Sequence, residues 1–203
     1  MRKNVLIFVK APRIGAVKQR LSNDIGFEEA WCFYRRTVRN LILQLTRDTR
    51  WSCCLVVTPD SLVTIDPFWP NLCSVVKQGH GDLGQKMRRA LANFYSNPTV
   101  LIGSDIPEVT RDHIQSAFKA LAANDVVLGP ASDGGYWLVG LSSRALRSNP
   151  FDGVSWSSPK VFSETVRNVP NGYSISILNK LNDIDNGIDH QRWQIRLALK
   201  SKS

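Results

Sequence analysis

Seven short apolar runs rich in β-branched residues recur along the chain, at 5–9, 53–57, 73–76, 99–102, 126–128, 136–141 and 174–178. Their length and composition read as strands. The first, Val5-Leu6-Ile7-Phe8-Val9, is apolar at every position, as expected of a strand covered on both faces. Helical patterns fill most of the gaps. Trp31, Tyr34, Val38, Leu41, Ile42 and Leu45 fall on one helical face, and so do Leu83, Met87, Leu91 and Phe94. Thr110 is placed to cap a helix carrying Ile114, Ala117, Phe118 and Leu121. Ser158-Pro159 opens another over Val161, Phe162 and Val166, and a last helix runs from about 189 to 200. Strands alternating with helices require crossover connections. The prediction is therefore an α/β fold, a doubly wound, mostly parallel sheet with helices on both faces, in one domain over residues 1–203.

Composition narrows the function classes. A net charge of +9 suits phosphate-bearing or polyanionic partners, but Lys and Arg are scattered, and no helix reads as a basic stripe interleaved with aromatics. No nucleic-acid partner is expected, and the basic tail at 200–203 reads as a solvated end. Cys32, Cys53, Cys54 and Cys73 include no C-x-x-C pair, so they read as reduced, structural cysteines of a cytoplasmic protein. The apolar run after Met-Arg-Lys-Asn is too short for a signal peptide, and no stretch approaches the roughly 20 apolar residues of a membrane span. Oligomeric state is left open.

In doubly wound folds ligands bind at the carboxyl ends of the strands, so the residues just after each run are the candidates for chemistry. The first run leads into Lys10-Ala11-Pro12-Arg13-Ile14-Gly15-Ala16-Val17-Lys18-Gln19-Arg20, a basic loop with Gly and Pro that leads towards a helix. Positive charge and free amides in such a loop suit phosphate oxygens, although it matches neither a P-loop nor a G-x-G-x-x-G fingerprint. The third run leads into Gly79-His80-Gly81-Asp82-Leu83-Gly84-Gln85-Lys86, where glycines let backbone approach a ligand and Lys86 adds charge; locally, a turn with Asp82 as helix cap is equally adequate. The fourth ends in Gly103-Ser104-Asp105-Ile106-Pro107, where one strand-end carboxylate can ligate a hard cation such as Mg2+ or Mn2+. Further on, Asp133-Gly134-Gly135-Tyr136 precedes the sixth run, and reads either as a hairpin turn or as the wall of a pocket.

Taken together, Val17-Lys18-x-Arg20-Leu21, Gly81-Asp82-Leu83-Gly84-x-x-Met87, Gly103-Ser104-Asp105-x-Pro107 and Gly129-Pro130-x-x-Asp133-Gly134-Gly135-Tyr136 resemble the bacterial rSAM/selenodomain-associated transferase family. That family consists of glycosyltransferase-like proteins with the GT-A, nucleotide-diphospho-sugar-transferase fold. The resemblance runs from Phe8 to about Asp185, with a further segment at Phe151-Asp152-Gly153-Val154-Ser155-Trp156-Ser157-Ser158. The first loop is also similar to that of 2-phospho-L-lactate guanylyltransferases, and the fold is shared with the molybdenum-cofactor guanylyltransferase.

The resemblance implies that Lys18 and Arg20 face phosphates. From their places after the strands, Lys10, Pro12, Gly15, Gly81, Gly84, Lys86, Gly134, Gly135 and Tyr136 are expected to line the nucleotide and substrate site. The resemblance also implies that Asp105 ligates the metal, and that Asp183 or Asp185 resembles the late Asp of related nucleotidyltransferases, with Asp185 taken as the second ligand. Asn186-Gly187 departs from the usual Thr-Pro at that point, Gln19 replaces a common Thr and Lys86 a common Arg. The expected activity is glycosyl transfer from a nucleotide-sugar to a small-molecule acceptor with Mg2+ or Mn2+, with Asp133 as catalytic base. The alternatives are nucleotidyl transfer from an NTP to a phosphorylated small molecule, and non-catalytic binding of a nucleotide or polyanion.

Overall fold

The computed structural model describes residues 2–63, 68–69 and 71–200; the basic tail lies, apart from Lys200 at the end of the last helix, outside the described residues. The elements are β1 (Lys3–Lys10), α1 (Gln19–Ile25), α2 (Phe27–Thr46), β2 (Trp51–Thr58), β3 (Ser74–Lys77), α3 (Leu83–Asn93), β4 (Thr99–Gly103), α4 (Arg111–Leu121), β5 (Val126–Pro130), β6 (Tyr136–Leu141), α5 (Ser143–Ser148), α6 (Val161–Arg167), β7 (Ile175–Ile177) and α7 (Gly187–Lys200), with a 3-10 turn at Asp60–Leu62. The strands form one sheet in the order β3-β2-β1-β4-β6-β5-β7. β6 runs antiparallel to β4 and β5, and every other pairing is parallel. The protein has an α/β, mostly parallel sheet with helices on both faces.

The strictly apolar β1 explains the layering. Val5, Ile7 and Val9 join the core beneath α2 and α4, whereas Leu6 and Phe8 join the core beneath α3, α5 and α6. Adjacent strand residues point to opposite faces, so a strand with both sets apolar needs cover on both. Cys53 and Cys54 obey the same rule: both are free and buried, one in each core. A third, smaller core of Leu21, Ala30, Phe33 and Ile184 joins α1, α2 and the approach to α7, with Trp193 of α7 packed against it.

Local chemistry sets several boundaries. Asp82 and Gln85 exchange hydrogen bonds in a capping box that starts α3, and Thr110 and His113 do the same for α4. The helix expected from Ser158-Pro159 starts only at Val161. The intervening residues are held in a turn instead, with Ser157 in the left-handed region at φ 64° and the amide of Phe162 donating to the carbonyl of Gly134. The charge pattern on α2 also differs from expectation. The Arg35 guanidinium covers the Trp31 and Phe68 rings, and Arg36 and Arg39 line the same shallow concavity. Helical spacing collects Trp31, Arg35, Arg36 and Arg39 on α2, and Phe68, from the segment after β2, packs against Arg35. Among the described residues, no helix is long and apolar enough to cross a membrane.

Candidate active site

The carboxyl ends of β1, β2, β3, β4 and β5, the β5–β6 turn and the segment after β7 all open on the same edge of the sheet. Parallel strands force this convergence, and the β5–β6 hairpin adds its turn to it. The bridge between Ala131 and Leu181 brings the post-β7 segment alongside that turn. Ile184 is then buried in the small core of α1 and α2. Its neighbours Asp183 and Asp185 both line the cavity at the sheet edge.

Two cavities meet here. One, of about 370 Å3, lies over the β1, β2 and β4 ends and is lined by Lys10, Lys18, Tyr34, Gln78 and Ser104 among others. The other, of about 460 Å3, is lined by Arg20, Met87, Asp133, Tyr136 and Trp156, with Asp183 and Asp185. Asp105 belongs to both, as do Phe8, Leu83 and Gly103. The strand-end Asp found in the sequence therefore stands at their junction. A larger cavity of about 1020 Å3 lies on the far side of α3, against α5, and carries Arg88, Arg89 and Arg147 but none of these carboxylates.

Lys18 organises the junction. Its Nζ donates to Asp105 Oδ2 at 3.3 Å and to Asp185 Oδ1 at 3.2 Å, and Arg20 Nη1 reaches the other Asp185 oxygen at 3.5 Å. The Lys18 side chain is 6% exposed, against 47% for Asp105 and 31% for Asp185. Burial alone drives its pKa down, but the charges and hydrogen bonds of the two carboxylates outweigh it and the net direction is up. The residue caps α1 in the left-handed conformation (φ 49°, ψ 45°), which a side chain with a Cβ adopts only at a cost. The turn before it is made at Gly15, with φ 75°.

Residues that sequence reasoning missed hold these loops. Tyr34 of α2 donates its hydroxyl to the Lys10 carbonyl at 3.0 Å, accepts the Lys10 amide at 3.1 Å, and lies 3.3 Å from Ser104 Oγ. Burial pushes its pKa up to about 12. Gln78 donates to the carbonyls of Val56 and Val9, and Arg89 donates to those of Gln78 and His80. The available signal was Tyr34 itself: a hydroxyl on an otherwise apolar stripe needs a partner when buried. Nothing in the local sequence points to Arg89.

The predicted site residues divide. Lys10, Lys18, Arg20, Asp105, Asp133, Gly135, Tyr136 and Asp185 line the two cavities, whereas Pro12, Gly15, Gly81, Gly84, Lys86 and Gly134 line neither. Pro12 is buried and its carbonyl accepts the Trp31 indole N–H. A Cβ on Gly84 would stand 2.6 Å from Trp156, so this glycine makes room for an aromatic side chain; it lines the larger cavity beyond α3 and neither of these two. Gly134, at φ 89°, lies against the Pro159 backbone with no space for a side chain. Asp133 Oδ1 accepts the Gly135 amide at 2.8 Å, stabilising its own turn. The Tyr136 hydroxyl is turned towards Met87 and away from solvent. Asn186, at the departure from the family pattern, accepts the Asp189 amide, and the Gly187 amide donates to Asp24 of α1 at 2.7 Å. This pair starts α7 and docks it, without disturbing Asp185.

The donor set fits a hard divalent cation. Two carboxylates converge on one ammonium beside cavities of about 370 and 460 Å3, the size of small-molecule sites, and Mg2+ commonly takes one or two carboxylates plus substrate phosphates. Among the described residues, no group of three or more His, Cys, Asp or Glu forms a self-sufficient metal site.

The sheet order and strand-end site define a nucleotide-diphospho-sugar-transferase-like fold. It superimposes with a TM-score of 0.83 on the crystal structure of a candidate nucleotide-diphospho-sugar transferase from Desulfovibrio desulfuricans G20, at 29% identity over 92% of this chain and 84% of that one. The chain belongs to the family "Uncharacterized protein conserved in bacteria (DUF2064)", whose model matches residues 41–158. It is also 23% identical, over 156 residues and 74% of its length, to the 2-phospho-L-lactate guanylyltransferase of Methanocaldococcus sp. (strain FS406-22), and it spans 64% of that relative's length. Rv0371c of Mycobacterium tuberculosis H37Rv, solved in complex with manganese, shares the fold alone, with a TM-score of 0.58 at 13% identity over 95% of this chain and 97% of that one.

Proposed function

We propose that this protein is a metal-dependent nucleotidyltransferase, with residues 1–203 acting as one domain. A phosphate oxygen of a small-molecule acceptor attacks the α-phosphorus of a bound nucleoside triphosphate. The bond from that phosphorus to the oxygen bridging to the β-phosphate breaks, and pyrophosphate leaves. The observation that carries this reading is the cluster of Lys18, Asp105 and Asp185 at the junction of two cavities. One cavity would take the nucleotide and the other the acceptor, so the reacting atoms would meet at Asp105. Lys18 and Arg20 would bind phosphate oxygens, and Asp105 and Asp185 would hold Mg2+ or Mn2+. When bound, that cation neutralises charge that develops on the leaving phosphates. The attacking phosphate oxygen carries no proton to remove, so the reaction needs no base. The similarity to a guanylyltransferase supports the same reading.

Glycosyl transfer is the second reading, in which an acceptor hydroxyl oxygen attacks the anomeric carbon of a nucleotide-sugar, gives up its proton and takes the sugar, while the nucleoside diphosphate leaves. The likeness to the Desulfovibrio structure and the position of Asp133 on the cavity wall favour it. The deciding experiment incubates the protein and Mn2+ with each NTP and a set of phosphorylated acceptors, following pyrophosphate, and in parallel with NDP-sugars, following NDP. Acceptor-dependent pyrophosphate release is expected. NDP release with no pyrophosphate from any NTP would replace this reading with glycosyl transfer. Turnover in neither arm, with salt-sensitive binding of any polyanion, would leave a non-catalytic binder.

A further inference from the structure

The ammonium of Lys18 fills the space between the two carboxylates assigned to the cation. A divalent ion and an ammonium placed between the same two carboxylates repel each other, and the repulsion grows with the product of the charges and with proximity, so each weakens the other's hold on the pair. Among the described residues, Asp105 and Asp185 are the only charge partners of Lys18, whose side chain is almost fully enclosed. A cation arriving alone must expel the ammonium and leave it without a counter-charge. A polyphosphate arriving with the cation supplies one. Lys18 lines the 370 Å3 cavity, so its four-carbon stem can carry the ammonium from the carboxylates towards phosphates bound there without moving the backbone. Arg20 cannot substitute, since it is 80% exposed and touches only the Asp185 oxygen that Lys18 leaves free.

We propose that Lys18 is an internal counter-ion, which closes the Asp105–Asp185 pair to a divalent cation until a polyphosphate draws the ammonium away. Cation and nucleotide then load together, and the protein without nucleotide holds no tightly bound metal. This rests on the reading of Asp105 and Asp185 as cation ligands.

The test is Mn2+ binding to the full chain, followed by the electron paramagnetic resonance of free Mn2+, with titration calorimetry of preformed Mn2+–tripolyphosphate. Wild type should bind Mn2+ alone at least tenfold more weakly than Lys18→Met, and Lys18→Arg, which keeps the charge, should stay as weak as wild type. Wild type should bind Mn2+–tripolyphosphate at least tenfold more tightly than Mn2+, an advantage that Lys18→Met loses. Melting temperatures establish that each variant is folded, and Lys18→Gln replaces Lys18→Met if the latter is not. Asp105→Asn is then added to each background. If it weakens Mn2+ binding but Lys18→Met does not tighten it, the counter-ion role is overturned and the ligand reading stands. If Asp105→Asn changes Mn2+ affinity in neither background, the ligand reading itself is wrong.

Discussion

Tyr34 and Lys10 are joined by a reciprocal pair of hydrogen bonds, the Tyr34 hydroxyl donating to the Lys10 carbonyl and accepting the Lys10 amide. The end of β1 would otherwise leave both backbone groups without partners at the edge of the sheet. The same hydroxyl touches Ser104, so one side chain of α2 fixes the strand ends that carry the basic loop and Asp105. Tyr34→Phe keeps the ring but orphans these groups. It should cost about 1–3 kcal/mol of stability, and chemical denaturation should show this loss.

The titration of Tyr34 gives that variant a pH signature. Its pKa is raised from 10 to about 12 in the folded protein, so the contribution is complete below pH 10 and is lost as pH rises from 10 through 12. Above pH 10 the unfolded chain gives up its proton before the folded one does. The stability gap between wild type and Tyr34→Phe should therefore be constant from pH 7 to 9 and narrow above pH 10. A gap that widens in alkali would show that the hydroxyl is not held as its surroundings imply.

Removing the charge at Asp105 tests the metal. Asp105→Asn preserves size and most hydrogen bonding while taking away a carboxylate from the junction of the cavities. Nucleotide affinity in the presence of Mn2+ should fall by at least tenfold, and EDTA should have the same effect on wild type but little further effect on the variant. Affinity that resists both EDTA and the substitution would remove Asp105 from the metal site.

The sequence made the sheet legible because both faces of its strands are apolar, and all seven strand runs became strands. It did not reveal α1 and α5, which span seven and six residues and are too short to establish a period. Strand-end Asp105 and the basic pair Lys18 and Arg20 were legible because a parallel sheet directs such residues to one edge. The place of Asp185 beside Asp105 was implied by the family resemblance alone and not by the pattern of strands and helices. It depends on Asn186 bonding the Asp189 amide locally at the start of α7, and on two contacts between distant segments, Ile184 in the small core of α1 and α2 and Gly187 against Asp24, 163 residues away in sequence. The packing roles of Gly84 and Gly134 were hidden for a related reason. A glycine that admits a ligand and one that admits Trp156 or Pro159 look alike in one dimension.

Lys18 and Arg20 should separate by depth. Lys18→Ala removes an enclosed ammonium and should weaken triphosphate binding by about 1–3 kcal/mol, with progressively smaller losses for diphosphate, monophosphate and nucleoside. Arg20 is 80% exposed, so solvent screens its contacts and Arg20→Ala should cost under about 1 kcal/mol. Calorimetric titration of the series on both variants measures this. Equal losses for nucleoside and triphosphate would place both residues away from the phosphates.

Asp133 distinguishes the two transfer reactions. As the base of a glycosyl transfer it would take a proton from an acceptor hydroxyl, and Asp133→Asn would lower kcat by about 10²–10⁴ with donor affinity nearly intact. In nucleotidyl transfer to a phosphate no such proton exists. One carboxylate oxygen of Asp133 already accepts the Gly135 amide, which gives the residue a structural task in the turn. An asparagine carbonyl can accept the same amide, so the turn should survive the substitution with a stability loss under about 1 kcal/mol. The expected outcome is therefore a kcat within a few-fold of wild type at saturating acceptor, with any larger effect confined to the acceptor KM. Measuring donor Kd, kcat and melting temperature on the same variant keeps folding, binding and chemistry apart. A loss of kcat by a factor of a hundred or more, in a variant that melts normally and binds donor normally, would return Asp133 to the role of base and the protein to glycosyl transfer.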